Sequence, residues 1–170
     1  PQWMDLDFGE EVYIGRVFWW DKETLGGQIF DREQEQYWIV RFNIATGERA
    51  TVVYEQTEVW FTPRNCQLRK LKDGAFLMLS ERDGFQHIYH YAADGSLIAQ
   101  LTDGAWVVDQ IQAVDQKQGI VYFMGNREDP RERHLYMVGL EDGEVRRLTP
   151  QAGTHKVTVS TKWGDMIDSF

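Results

Sequence analysis

Cysteine is almost absent from the chain, which has a single one, Cys66, among 170 residues. This excludes a disulfide scaffold and any zinc site built from cysteines. No apolar run comes near the roughly 18 residues that a membrane-spanning helix needs, so we expect no membrane insertion by this chain. Basic residues are also scarce, with 18 Lys and Arg against 27 Asp and Glu. A net charge of -9 argues against a nucleic-acid partner.

Helical periodicity is also missing, since no run of about ten residues has apolar positions three and four apart. Short β-branched and aromatic stretches are present instead, and most end near a glycine or an Asp-Gly pair. The predicted strands are Tyr13–Trp19, Gln28–Phe30, Tyr37–Ile44, Thr51–Tyr54, Phe76–Leu79, Ile88–Tyr91, Ile120–Met124 and Leu135–Leu140. The pattern predicts an all-β fold of consecutive antiparallel hairpins.

An internal repeat sharpens this prediction. The tripeptide His87–Tyr89 is followed 47 residues later by His134–Tyr136, and the pair Leu101-Thr102 is followed at the same offset by Leu148-Thr149. The tryptophans Trp60 and Trp106 are 46 residues apart. A repeat of this length that holds about four strands is typical of a β-propeller blade.

The repeat divides the chain into about three and a half four-stranded antiparallel blades. The predicted blades are 13–57, 59–103 and 105–150, and residues 156–170 begin a further blade. A closed propeller needs about four to eight blades. The sequence therefore predicts that residues 1–170 are a single fragment of a larger propeller domain, with exposed blade edges through which it could associate with itself.

Candidate catalytic and metal-binding residues have ordinary structural interpretations. The Gly-x-Ser-x-Gly elbow of α/β-hydrolases is absent from the sequence, so we expect no catalytic residue in this chain. His87 and His90 cannot bind one metal ion together, because residues three apart on a strand point to opposite faces. The recurrence of His87 at His134 favours a packing role for both. His155 precedes a predicted strand and could face the channel, with no evident partner.

The remaining candidate functional residues are acidic and aromatic. The dense carboxylate pairs are Glu10-Glu11 and Glu33/Glu35, and neighbouring loop positions do not predict the cleft geometry that a glycosidase needs. A solvated hairpin loop is favoured for residues 31–36. Trp60 and Trp106 are expected to pack within blades, although either could line the channel. We expect no metal and no cofactor.

Several segments resemble a known family. Leu79–Tyr89, Leu101–Val108, Val121–Arg127 and Glu132–Tyr136 closely resemble the N-terminal propeller of dipeptidyl peptidase IV and its bacterial relatives, in the prolyl oligopeptidase class of serine peptidases. The resemblance covers nearly the whole chain in the same order. It implies an all-β propeller, a bacterial source, and a periplasmic or cell-surface location.

The resemblance also implies that the propeller and a second domain have different roles. Family members join an eight-bladed propeller to a C-terminal α/β-hydrolase domain and release N-terminal dipeptides, preferentially after proline. The catalytic Ser, Asp and His belong to the hydrolase domain, so none is assigned to this chain. Glu10-Glu11 lacks the flanking residues of the family's amine-binding Glu pair and is not assigned to that role.

One binding feature is carried over. Relatives place an aromatic residue and an arginine near the substrate shortly after the tryptophan that opens the second unit. Here the stretch Trp60-Phe61-Thr62-Pro63-Arg64 has these ingredients, with altered spacing and an added proline. Trp60 and Arg64 are predicted to form part of the substrate-pocket rim. The implied partners are the hydrolase domain and peptide substrates. The alternatives are a freestanding propeller scaffold or periplasmic binding module without enzymatic activity, and a glycan-processing propeller enzyme whose carboxylates come from several blades.

Overall fold

The computed structural model describes residues 3–58, 60, 62, 66–160 and 165–170. These residues form fourteen strands and no helix, which confirms the all-β prediction. The strands are β1 (Val12–Trp19), β2 (Thr24–Asp31), β3 (Gln36–Asn43), β4 (Arg49–Gln56), β5 (Leu68–Lys70), β6 (Phe76–Ser80), β7 (His87–Tyr91), β8 (Leu97–Gln100), β9 (Val108–Asp115), β10 (Ile120–Gly125), β11 (His134–Gly139), β12 (Arg146–Arg147), β13 (Lys156–Ser160) and β14 (Asp165–Ser169). Within this part of the chain, no helix could span a membrane.

One compact unit contains residues 1–66 and the short turn 94–96. Its strands pair as an antiparallel sheet in the order β1-β2-β3-β4. On β2 and β3, alternate residues are apolar and lie on one face of the sheet. The core cluster on this face contains Ile29, Trp38, Val40 and Phe42. The segment before β1 covers this face with Met4, Leu6 and Phe8.

The other compact unit contains residues 67–93 and 97–170. It has two four-stranded antiparallel sheets, β5-β6-β7-β8 and β9-β10-β11-β12, followed by the hairpin β13-β14. One core cluster contains residues of both sheets, among them Leu77, Ile88, Phe123 and Tyr136. Four-stranded sheets that follow one another along the chain and pack face to face are the architecture of propeller blades. The prediction of a partial propeller is confirmed.

The predicted Asp-Gly turns are present. Each of their glycines has a positive φ, from 64° at Gly143 to 108° at Gly104. Glycine adopts this backbone region without the steric cost that other residues meet there. Four of these turns, at Gly74, Gly84, Gly95 and Gly143, lie between paired antiparallel strands as predicted, whereas Gly104 lies in the connection from β8 to β9 of the next sheet.

The eight predicted strands left six of the fourteen unlisted: β13 and β14 lie in the predicted further blade 156–170, whereas β5, β8, β9 and β12 were not individually predicted. The longest of them, β9, carries four polar residues among its eight and is only partly buried, so it lacks a clear apolar alternation. The strand β2 also begins earlier than predicted, at Thr24 instead of Gln28. Its residue Gly26 pairs with Phe18 of β1 and lies beneath the ring of Phe18. A Cβ atom at Gly26 would lie 2.5 Å from that ring.

Candidate functional site

The predicted rim residue Trp60 is strongly exposed, with 72% of its surface accessible. Its predicted partner Arg64 lies outside the described residues. The substrate-pocket rim therefore stays a prediction. The expectation that Trp60 packs inside a blade is wrong, because its side chain is open to solvent.

The equivalent tryptophan of the repeat behaves differently. Trp106 is buried and its ring stacks with Phe123 at a centroid distance of 6.1 Å. It also meets the imidazole of His87 edge-on at 5.1 Å. The predicted packing role is correct for Trp106, which joins the core between the second and third sheets.

His87 has a structural role inside the second sheet. Its Nδ1 lies 3.1 Å from Oγ1 of Thr102, and its Nε2 lies 2.9 Å from the carbonyl oxygen of Gly104. The same Thr102 oxygen accepts a hydrogen bond from the backbone N–H of Ile88. The Thr102 hydroxyl can therefore donate to Nδ1 while the Nε2 proton is donated to Gly104, which satisfies a neutral imidazole.

His134 repeats this arrangement in the third sheet. Its Nδ1 lies 3.1 Å from Oγ1 of Thr149, and the backbone N–H of Leu135 donates to the same oxygen. Its Nε2 lies 2.8 Å from Oε2 of Glu132, a carboxylate in place of the Gly104 carbonyl. The predicted packing role of both repeated histidines agrees with these contacts.

His90 is different from the other histidines. Both of its ring nitrogens are buried, and within the described residues neither has a hydrogen-bond partner. Burial lowers the pKa of His90, because a charged imidazolium would lose its hydration. Nothing in this environment brings His90 together with His87, whose nitrogens point to Thr102 and Gly104.

The structure brings together three carboxylates from two segments that are far apart in the sequence, namely Glu10 from one and Asp31 and Glu33 from the other. Ligand oxygens of Glu10, Asp31 and Glu33 all lie within 4.8 Å of one another. Asp31 is buried, and its Oδ1 accepts a hydrogen bond from the backbone N–H of Gln36, whose side-chain amide donates to Glu10. Three oxygens at such distances could hold a cation. Sequence spacing could not show this proximity, because the segment before β1 and the β2–β3 loop meet only in the fold.

An ion pair lies at the start of the third sheet. Arg133 Nε contacts Asp109 Oδ2 at 2.7 Å, and each side chain is about one-third exposed. Burial raises the pKa of Asp109, although the neighbouring guanidinium opposes the effect. No motif in the sequence indicated this pair, because Asp109 is on β9 and Arg133 is in the β10–β11 loop.

His155 has a hydrogen-bond partner that no sequence pattern indicated. Its Nδ1 lies 2.7 Å from Oδ2 of Asp168, thirteen residues further along the chain. The expectation that His155 has no evident partner is therefore wrong. The hairpin β13-β14 brings the two residues together, since antiparallel pairing places Val157 opposite Asp168.

The hydroxyls of Ser80 and Ser96 make local hydrogen bonds, whereas Ser169 Oγ donates to the backbone carbonyl oxygen of Lys156 across the β13-β14 hairpin. Ser80 Oγ accepts from the backbone N–H and Nε of Arg82, and Ser96 Oγ donates to Asp94. These contacts are typical of turn serines.

The chain is similar in sequence and in fold to dipeptidyl peptidases. Residues 1–170 match the family model for the dipeptidyl peptidase IV (DPP IV) N-terminal region. The chain is 40% identical over 156 residues to dipeptidyl-aminopeptidase B of Aspergillus niger, and the match covers 88% of the chain and 17% of that protein. Its fold is similar to the crystal structure of Porphyromonas gingivalis dipeptidyl peptidase 4, with a TM-score of 0.90 and 24% identity over 98% of this chain and 24% of that one. The chain thus spans about a fifth of the length of these relatives.

Proposed function

Because this chain belongs to the family of dipeptidyl peptidase IV N-terminal regions, we propose that it serves as the propeller part of a serine-type dipeptidyl peptidase. The longer enzyme would release N-terminal Xaa-Pro dipeptides. Its catalytic Ser, Asp and His would lie in a C-terminal α/β-hydrolase domain. The propeller would admit peptides and position them against that domain.

The observation that carries this proposal is the family match over residues 1–170. The environment of the histidines supports the assignment of chemistry to another domain. His87 and His134 use their ring nitrogens to hold threonines within their own sheets. A histidine engaged in this way is not available as the general base of a serine nucleophile.

Within this function, we propose Trp60 and Arg64 as part of the substrate-pocket rim. The exposure of Trp60 supports the proposal, since an indole open to solvent can contact a peptide. We also propose a periplasmic or cell-surface location, and a bacterial source, as the resemblance implies. The relative from Aspergillus niger is fungal. The proposal of a bacterial source is therefore tested by identifying the genome that carries the gene for this chain.

The first experiment concerns activity. The 170-residue chain is expected to show no turnover of Gly-Pro or Ala-Pro amide substrates, and the longer protein encoded by the same gene is expected to cleave them. Turnover by the chain alone would contradict the proposal, because it would require a nucleophile within these residues. In the longer protein, Trp60→Ala should raise KM with little change in kcat, and Trp3→Ala, which alters another exposed indole, is the control.

The second experiment separates this function from its alternative. A coding sequence downstream of Phe170 with a Gly-x-Ser-x-Gly elbow followed by Asp and His supports the peptidase. A gene that encodes only further blades would overturn it and favour a propeller scaffold or periplasmic binding module.

We also propose that the chain associates with itself through its exposed blade edges. The edge strand β1 presents Ile14, Val17 and Trp19 to solvent, each more than half exposed. Unpaired strand edges with apolar side chains readily pair with another chain. Size-exclusion chromatography over a range of concentrations is expected to show a shift to larger species, and Val17→Lys should suppress it.

A further inference from the structure

Gln28 is a polar residue at a buried position of β2, with only 2% of its surface exposed. Its Nε2 donates two hydrogen bonds, one to Oη of Tyr37 at 2.7 Å and one to the carbonyl oxygen of Cys66 at 2.8 Å. An amide nitrogen carries two protons, so each bond uses one of them. Burial of an amide is unfavourable unless its N–H groups are bonded, and here both of them are.

The two acceptors fix the orientation and the place of this amide. A carbonyl oxygen only accepts hydrogen bonds, so the amide nitrogen of Gln28 must face Cys66. The hydroxyl of Tyr37 is held in turn, because this tyrosine is fully buried on β3 and its ring stacks with Phe30 at a centroid distance of 4.7 Å. The Gln28 amide is thus fixed inside the β1–β4 sheet while it bonds the main chain at Cys66.

The bonded carbonyl belongs to the connection from β4 to β5, and the other end of this connection is also anchored. The backbone N–H of Thr57 donates to the carbonyl oxygen of Glu35, in the β2–β3 loop, at 2.9 Å. Trp60 lies between these two anchors and is 72% exposed. The Cys66 thiol contacts the carbonyl oxygen of Thr62 at 3.7 Å, so the second anchor reaches to within two residues of Trp60.

We propose that Gln28 is a positioning residue for the substrate-pocket rim, because its amide fixes the Cys66 end of the segment that carries Trp60. Gln28 is buried, so it acts through the indole and not by contact with the peptide. The inference rests on the proposed function, since it takes Trp60 as part of the rim. A rim residue whose main chain is already fixed loses less conformational freedom when substrate binds. Loss of the anchor should therefore weaken substrate binding and leave the chemical step almost unchanged.

The first test measures the anchor itself and needs no enzymatic activity. Cys66 is the single thiol of the 170-residue chain and is buried, so its rate of reaction with an aromatic disulfide reagent reports local opening at the anchor. Gln28→Met removes both hydrogen bonds at a similar side-chain volume, and it should raise the labelling rate by about tenfold. An unchanged rate would overturn the proposal.

Gln86→Met is the matched control for this labelling experiment. Gln86 is also a buried glutamine, 4% exposed, and its Nε2 donates to the carbonyl oxygen of Val108 at 2.6 Å. The substitution removes a similar hydrogen bond next to β7, so it accounts for a general loss of stability. The labelling rate of Cys66 should change by less than about twofold in this variant. An equal rise in both variants would show that the whole chain opens, and it would contradict a local anchor.

A measurement on the unmodified chain decides the matter even if Gln28→Met fails to fold. The side-chain amide protons of Gln28 and the thiol of Cys66 are protected by the same contact, so hydrogen exchange of the amide and labelling of the thiol should give the same protection factor. An amide of Gln28 that exchanges freely while Cys66 stays protected would show that the hydrogen bond does not hold this segment.

The second test measures substrate binding in the longer protein. Gln28→Met should raise KM for a Gly-Pro amide by about three- to tenfold with little change in kcat. The double variant Gln28→Met/Trp60→Ala should have the same KM as Trp60→Ala alone, because Gln28 acts through this indole. Effects that multiply in the double variant would overturn the proposal.

The kinetic outcomes also separate the inference from the function on which it rests. Absence of turnover in the unmodified longer protein contradicts the peptidase function. Turnover with a KM that Trp60→Ala leaves unchanged contradicts the assignment of Trp60 to the rim, and the role of Gln28 with it. A KM that rises in Trp60→Ala and stays unchanged in Gln28→Met contradicts the role of Gln28 alone.

Discussion

His134 occupies in the third sheet the hydrogen-bonding position that His87 occupies in the second. Each Nδ1 lies 3.1 Å from the hydroxyl of a threonine fifteen residues later, and that hydroxyl also accepts the N–H of the residue after the histidine. The histidine thus anchors the segment that follows the outer strand of its own sheet. The repeated sequence pattern therefore has a repeated physical cause, a histidine–threonine hydrogen bond in each sheet.

Thr102→Val should destabilise the chain by about 2–6 kcal/mol. The substitution keeps the shape of the side chain but leaves both Nδ1 of His87 and the N–H of Ile88 buried without a partner, and each such group costs about 1–3 kcal/mol. Urea unfolding measures the loss. Thr102→Ser keeps the hydroxyl and should lose clearly less, and equal losses for the two variants would argue against the hydrogen bonds.

Gly95→Ala should be more destabilising than Gly84→Ala. Both glycines have a similar positive φ, 92° and 88°, so both substitutions carry a backbone cost of about 1–2 kcal/mol. A Cβ atom at Gly95 would lie 2.0 Å from the carbonyl oxygen of Val52, whereas one at Gly84 would meet nothing within 4 Å. Thermal unfolding of the two variants measures the difference. Equal losses would mean that the turn moves away from Val52 without cost.

His90→Leu should make the chain less sensitive to acid. Burial lowers the pKa of His90 below its usual 6.5, so the neutral ring stabilises the fold above that pH. This contribution is lost as the pH falls through the lowered pKa, because the unfolded chain takes up the proton first. Leucine has no titratable group and no unpaired nitrogen.

The measurement is the difference in Tm between the two proteins at about pH 7.5 and about pH 5. The difference should grow in favour of His90→Leu as the pH falls. A difference that stays constant would mean that His90 does not titrate differently in the folded and unfolded states.

Trp106→Ala should lower the stability of the chain far more than Trp60→Ala. Removal of the Trp106 ring from the core between two sheets should cost about 3–5 kcal/mol. Trp60 is exposed, and its removal should change stability by no more than about 0.5 kcal/mol. Equilibrium unfolding in urea compares the two. A large loss for Trp60→Ala would place this indole in a packing role after all.

The sequence predicted the fold well because its signals are local. Asp-Gly turns impose a positive φ wherever they occur, and the recurrence of His87 at His134 marks one position in two sheets. Strands that are weakly apolar, such as β9, escaped prediction, because their pairing partners stabilise them more than their own side chains do.

The sequence by itself determined the all-β class, the four-stranded repeat, the turns and the packing role of the repeated histidines. Only the tertiary structure decided which polar side chains meet. It exposed Trp60 and buried Trp106, it gathered Glu10 with Asp31 and Glu33, and it paired His155 with Asp168. The reason is physical: backbone preference and apolar alternation act between near neighbours in the chain, whereas burial and ion pairing depend on residues that only the folded sheets bring together.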